Sequence, residues 1–442
     1  MASVYHIRGF ECKFGLTRHN LGANICAAKF FRERFKMEQK NALTGRYSAV
    51  QGSFWMGYCV CISFAAVYLQ GLGYTNAQLG VVMAAGNLLG AVLGPELSAR
   101  IDRSETLTAW RLIWPWLALQ AAALLALALH PVMGAVTSAA FALFIAFSIS
   151  LNSLNLKLFV DCVHSGQAVN YGVARGVGSG CFVLMSTALG AIVKSAGVRV
   201  LPWAGLLMVL AQALTHAWLR RGYVPGEKKA EAFSARGRTM AAFLRGEPRF
   251  TVLLVGAALI FFGHNTSTNF LINVTRYAGG DTGTMGLLNG FMAAVEIPVM
   301  VFFGRLRGGR RSADLMRFAF VFFALKAAAM PLAASVPLLF AVFLLQAPSF
   351  ALYTAAIVDY VAETVPFEDS AKAQSLAFSM TTLGAVLASL AAGKLYDALP
   401  VPAVLWIACG ITAIGVVLAI LGTQRQKKSS LEEELFTNHS IS

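Results

Sequence analysis

Twelve apolar runs, each about as long as a bilayer is thick, recur along this chain in two groups of six. They fall near 49–71, 77–97, 108–130, 134–156, 173–194 and 200–219, then near 250–273, 284–304, 314–335, 337–359, 374–395 and 401–422. A helix of roughly 20 apolar residues crosses the hydrocarbon core, where only structures that satisfy their own backbone N–H and C=O groups survive. The runs predict an all-α membrane protein: twelve transmembrane helices in two six-helix, pseudo-symmetric bundles. Composition agrees, because 57% of the 442 residues are hydrophobic and only 13% are charged, where a soluble domain is about a quarter charged.

The net charge of +15 would suggest nucleic-acid binding in a soluble protein. Here it falls in three segments: +6 in residues 1–48, +5 in 220–249 and +4 in 305–317. The stretch 220–249 between the two groups holds Arg220, Arg221, Lys228, Lys229, Arg236, Arg238, Arg245 and Arg249. By the positive-inside rule it is cytoplasmic, and an even number of spans puts both termini there too. The charge is therefore read as an orientation signal, with the lipid bilayer and not a nucleic acid as partner. The expected division is a basic cytoplasmic segment 1–48, a bundle 49–219, a linker 220–249, a bundle 250–422 and a cytoplasmic tail 423–442, in a monomeric protein of the cytoplasmic membrane. Residues 1–36 are either a disordered tail or an artefact of a true start at Met37, and they lack the continuous apolar core of a secretory signal.

Several chemistries are excluded. There is no G-x-x-x-x-G-K-[ST] loop and no soluble block to hold a nucleotide, so ATP-driven pumping by this chain alone is not expected. The seven cysteines form no CxxC pair and have no histidine at metal-ligand spacing, so neither metal nor cofactor is expected. No nucleophile–base constellation points to an enzyme.

Three segments carry a resemblance to the major facilitator superfamily, whose halves are parallel repeats around a midplane solute site. Ser98-Ala99-Arg100-Ile101-Asp102-Arg103 is similar to the G-x-L-x-D-R-x-G-R turn between the second and third helices, with serine for the first glycine. The resemblance implies that Asp102 and Arg103 help latch the two halves; an ordinary loop charge pair is the alternative. Gly304–Arg311 looks like a degenerate second copy without the acid. Asn170–Gly180 resembles the Y-G-x-x-R-x-x-G-S-x-G start of the fifth helix in the lactose-permease-like and phenylpropionate-permease-like (MFS_1-like) proton symporter branch. Arg175 in it either snorkels to the interface or reaches a solute hydroxyl or carboxylate. Phe182 stands where lactose-permease-like symporters stack a tryptophan on sugar. The run from Gln346 through Asp397 resembles their tenth and eleventh helices, with Gln346 where that branch commonly has histidine. Lys157 stands where those symporters carry a sugar-binding acid, which argues against galactoside recognition of the lactose type.

An ionised side chain at the membrane midplane costs several kcal/mol, so each is a functional candidate. His264, Glu296 and Lys326 fall at the centres of the seventh, eighth and ninth helices. An acid, an imidazole and a cation in one half suffice to couple protons to a solute, with Glu296 taking up a proton in an apolar setting and giving it up when Lys326 approaches. A static Glu296–Lys326 pair, and a neutral hydrogen-bonded His264, are the structural alternatives. Candidate solute-binding residues are Trp55 and Tyr58, which share a helix face, Asn152 and Asn155, Arg175, Asn265 and Asn269 on a polar stretch that lipid could not face, and Gln346. The expected function is a secondary active transporter that imports a small organic solute of the sugar, nucleoside or aromatic acid class with protons. Proton-coupled efflux is the alternative, although residues 176–195 lack the G-x-x-x-G-P-x-x-G-G signature of efflux members. A sensor without flux is a third.

Overall fold

The computed structural model describes residues 42–104, 106–165, 167, 169–223 and 239–423, with the backbone of 4–7 and 10–13. Half of the expected linker (224–238), the tail beyond Thr423 and the alternative start at Met37 lie outside the described residues. Among those described, eleven helices are long and apolar enough to cross a membrane, and a bent pair supplies a twelfth.

We number them α1 to α12. The first is Ala42–Ser63 continued by Ala65–Gly71 after a 46° bend (α1). It is followed by Asn76–Arg103 (α2), Ala109–Leu129 (α3), Ala135–His164 (α4), Tyr171–Ala196 (α5) and Val200–Arg220 (α6). A short helix, Met240–Gly246, leads into Pro248–Thr268 (α7), which a further turn, Leu271–Tyr277, extends. Thr282–Arg307 (α8), Ser312–Leu332 (α9), Val336–Thr364 (α10), Phe367–Ala398 (α11) and Val401–Gly422 (α12) complete the second bundle. Outside the helices, Val4–Ile7 pairs antiparallel with Phe10–Lys13 in a small hairpin. We call the membrane side that carries residues 220–249 the linker face and the opposite side the distal face.

Two helices are broken, each for a local reason. In α1 the stretch Cys59–Ser63 widens into a π-turn before the bend at Phe64, a common cause of kinks. In α10, Pro348 has no N–H to continue the ladder, and Ala347–Ala351 relaxes into a π-turn immediately after Gln346.

Several helices run further than the apolar runs: α2 to Arg103, α4 to His164 and α10 to Thr364. Hydropathy marks only the hydrocarbon-spanning part, while backbone hydrogen bonding continues into the wet interface. Asp102 and Arg103 therefore sit in the last turn of α2 and not in the α2–α3 turn, which corrects their expected placement.

Glycine sets the closest helix contacts. Within the second bundle, a Cβ on Gly256 would lie 2.5 Å from the Ala419 nitrogen of α12, and one on Gly415 would lie 2.8 Å from the Gly256 carbonyl. Small residues permit such backbone approach in a bilayer, where van der Waals packing holds helices together.

Candidate functional site

The three ionisable residues of the second half are brought into one chain. Lys326, 3% exposed, donates from Nζ to His264 Nδ1 at 3.3 Å and to Gln346 Oε1. Gln346 in turn donates from Nε2 to Glu296 Oε1 at 2.8 Å. An ammonium can only donate, so His264 Nδ1 accepts and the neutral ring carries its hydrogen on Nε2. The third side of the ammonium lies 5.1 Å from the centre of the Phe343 ring. His264 is fixed between aromatic rings, stacked on Phe350 at 5.2 Å and edge-on to Phe261 and Phe323. Gln346, expected to touch solute, instead stands between Glu296 and Lys326. A cavity of about 20 Å³ lies behind His264 and Lys326, lined also by Ser267, Cys409 and Thr412, and is large enough for one water.

In the first half, Trp55 and Tyr58 meet edge to face at 5.2 Å. The Arg175 guanidinium lies 3.9 Å from the centre of the Trp55 ring and donates to Ser179 at 2.6 Å. Gly178 makes room for that ring, since a Cβ there would be 2.6 Å from Trp55 Cδ1. Arg175 and Glu296 belong to different halves yet lie within electrostatic range of each other.

The remaining expected residues lie outside these two clusters. Asn152 is exposed on α4. Asn265 donates to the Phe261 carbonyl of its own helix, and Asn269 donates to Ser389 of α11 at 3.0 Å. Asn155, expected to line the solute space, is 0% exposed and faces His216 of α6. This is a correction, and its cause is helix rotation: Asn152 and Asn155 are three residues apart, but α4 turns only the latter into the bundle.

His216 was not anticipated from sequence. Its Nδ1 lies 2.6 Å from the Gln212 carbonyl, a pure acceptor, so Nδ1 carries the hydrogen and Nε2 needs a donor. The Asn155 amide is 2.8 Å from Nε2, and its Nδ2 lacks any other partner. Turning that amide, whose Oδ1 otherwise faces Nε2, lets Nδ2 donate to Nε2 and leaves Oδ1 in the unpartnered position. From the Asn155 main chain the network continues through Tyr47, Gln51 and Trp55: Tyr47 donates to the Asn155 main-chain carbonyl, Gln51 to Tyr47 and the Trp55 indole to Gln51, at 3.0, 2.9 and 3.1 Å.

At the linker face each half carries an ion-pair cluster. Asp102 of α2 pairs with Lys157 of α4 at 2.6 Å. In the second half, Arg307 of α8 pairs with Asp359 and Glu363 of α10 at 2.7 and 2.6 Å. Both clusters lie within a half, so Asp102 in this state does not join the halves; Arg103 is exposed.

The halves meet at the distal face instead. Asp397 of α11 accepts from the Asn76 and Ala77 amides of α2 at 2.9 and 2.8 Å and from the Asn76 side chain at 2.9 Å. Gln70 donates to Asn273 at 2.7 Å, Asn273 donates to Asn76 at 2.8 Å and Arg276 donates to Gln70 at 2.9 Å. Lys194 of α5 pairs with Asp281 at 2.7 Å. The hydrogen bond from Lys194, with that from the Thr284 amide, holds the Asp281 carboxyl down to about 2. Below the polar layer, a Cβ on Gly80 would lie 2.0 Å from the Ser389 carbonyl and one on Gly190 2.9 Å from Gly286 Cα. The distal seam is closed.

Twelve apolar helices in two bundles, joined by a seam at one membrane face and holding polar groups between them, have the architecture of a major facilitator transporter. The MFS_1 like family model matches residues 54–406, and the chain belongs to that family. Solved structures with the same fold include a mutant of the nucleoside transporter NupG, at TM-score 0.71 and 13% identity over 87% of this chain and 100% of that one. An auto-inhibited POT family peptide transporter follows at TM-score 0.67 and 12% identity, over 87% and 96%. The human organic anion transporter MFSD10 (TETRAN) is similar at TM-score 0.59 and 14% identity, over 86% and 99%. No curated protein matches the chain by sequence. The protein is a multi-pass membrane transporter of small solutes and not an enzyme.

Proposed function

We propose that this transporter imports a small organic solute of the sugar, nucleoside or aromatic acid class together with protons, by alternating access of its two bundles. The observation that carries the reading is the His264–Lys326–Gln346–Glu296 chain, which draws on four helices of one half. Ionisable groups at this depth are costly unless they are paired or functional. Here the acid and the cation are separated by an amide. Glu296 is held through one oxygen by Gln346, and its other oxygen is the proton site. Gln346 does not titrate, so it transmits the charge of Lys326 without passing a proton. A rearrangement that lengthens either bond of Gln346 changes the hold on that proton, which is the coupling required.

Trp55, Tyr58, Asn152, Arg175, Asn265 and Asn269 are the proposed solute-facing residues, between bundles 49–219 and 250–422. Asp102 and Arg103 act at the linker face in the opposite state, when that face closes. We take the linker and termini as cytoplasmic from their charge and the protein as a monomer of the cytoplasmic membrane; the closed distal seam then supports an inward-facing reading of this state. In proteoliposomes, solute added outside should acidify the lumen; uptake that ignores the pH gradient would remove the symport claim. Glu296→Gln should retain counterflow exchange and lose accumulation, and full accumulation by that variant would refute its role.

A further inference from the structure

At one corner of the linker face, where α1 and α3 start and α6 ends, positive charge stands without a counter-charge. Lys157 and Arg307 on the same face reach carboxylates. Among the described residues, Arg46 of α1 and Arg220 and Arg221 at the end of α6 have neither a carboxylate within 4 Å nor an acceptor for their guanidinium N–H groups. Asp161 of α4, the acid within electrostatic range of Tyr223 at this corner, lies 4.0 Å from Lys157. Two of the arginines are instead held over tryptophans of neighbouring helices. The Arg46 guanidinium lies 5.8 Å from the centre of the Trp218 ring of α6. That of Arg220 lies 5.4 Å from the centre of the Trp110 ring of α3, which packs on Tyr223 at 5.4 Å. Gly222 clears the space for Arg46, since a Cβ there would run into Arg46 Nη1. Trp110 is 4% exposed and its indole N–H has no acceptor, so this corner is rich in donors and poor in acceptors. Towards the membrane, α6 exposes Leu207, Leu210, Leu214 and Trp218. Their spacing puts them on one helix face, an apolar stripe that ends at the arginines.

We infer that this corner binds an anionic phospholipid, with its phosphate at Arg46, Arg220 and Arg221 and an acyl chain along the α6 stripe. A cation at a helix C-terminus or in a cytoplasmic loop needs no ligand. Neither setting accounts for guanidiniums held over tryptophans of a second helix at the foot of an exposed apolar stripe. A guanidinium fork matches a phosphate through parallel hydrogen bonds, basic residues at the membrane surface attract acidic lipids, and an interfacial tryptophan sits at headgroup level. A lipid supplies the phosphate and the chain together, which a soluble anion does not. Because α1, α3 and α6 all contribute, the bound lipid ties their linker-face ends together and stabilises the first bundle. The site lies on the lipid-facing side of that bundle and does not depend on the transport reading.

Thermal unfolding of the full chain in detergent, titrated with dioleoyl phosphatidylglycerol, dioleoyl phosphatidylcholine or inorganic phosphate, reports binding to the folded state. Phosphatidylglycerol should raise the unfolding temperature. Phosphatidylcholine, with the same chains and no net charge, should not, and neither should inorganic phosphate, with charge and no chain. In Arg46→Gln/Arg220→Gln the phosphatidylglycerol concentration that gives half the effect should rise roughly ten-fold or more. Arg46→Lys/Arg220→Lys, which keeps the charge without the fork, should fall between that variant and the wild type, and it carries the test if the glutamine pair does not fold. Arg305→Gln/Arg310→Gln removes two exposed arginines from the linker face of the second bundle and should respond as the wild type does. No phosphatidylglycerol response in the wild type, or an equal response to phosphatidylcholine, would overturn the site. An equal response to inorganic phosphate would replace the lipid with a soluble anion. Unchanged affinity in both corner variants, or an equal loss in Arg305→Gln/Arg310→Gln, would reduce the effect to overall charge and overturn it as well.

Discussion

Asp397, at the end of α11, accepts both the main-chain and the side-chain N–H of Asn76 at the start of α2, at 2.9 Å each. A carboxylate of one half thereby caps a helix of the other, where unsatisfied amides and the helix dipole favour negative charge.

Removing that cap should loosen the distal seam without unfolding either bundle. A charge at a helix N-terminus is worth about 1 kcal/mol, so Asp397→Ala should shift the conformational equilibrium by roughly five-fold. Spin labels at Leu129 and Leu332, both exposed at distal helix ends, would report a growing long-distance population by double electron–electron resonance. An unchanged distribution would argue that the cap does not hold the seam.

Glycines between halves and glycines within a half should respond differently to substitution. Gly80→Val meets the Ser389 carbonyl across the seam, and the halves can part to relieve it, so the same labels should separate with little loss of thermal stability. Gly256→Val meets the Ala419 backbone within one bundle, which cannot part. That overpacking should cost about 1–3 kcal/mol and appear as a lower unfolding temperature.

The Lys194–Asp281 pair should be indifferent to working pH. Asp281 is held down to about 2, below its usual 3.8. A depressed acid contributes fully above its ordinary value and loses its contribution only as pH falls towards the depressed one. Both side chains are largely exposed, so the pair is worth at most about 1 kcal/mol. Asp281→Asn should therefore change seam opening by the same small factor at about pH 5.5 and about pH 7.5; a pH-dependent change would place proton sensing at the seam.

His216→Ala leaves the Asn155 amide buried without its partner and should destabilise the first bundle by about 1–3 kcal/mol. His216→Gln, which can still offer an acceptor, should restore part of this. Equal unfolding temperatures for all three proteins would show that the network contributes nothing.

The sequence by itself determined what hydropathy and charge can encode in one dimension. Apolar runs of bilayer length reveal the number of spans because burial in lipid is a property of each run. His264, Glu296 and Lys326 stood out because a charge in such a run is rare, whatever it touches. The tertiary structure alone decided who meets whom. Helices that are apolar on most sides carry little information on rotation about their axes, so nothing local shows that Asn155 turns inward to His216 while Asn152 remains exposed. Nor does spacing reveal that Pro348 breaks α10 beside Gln346, where that amide joins an acid 50 residues away in sequence to a cation 20 residues away. The distal seam was illegible for the same reason: Asp397 and Asn76 lie 321 residues apart, and only the packing of α2 on α11 makes one the cap of the other.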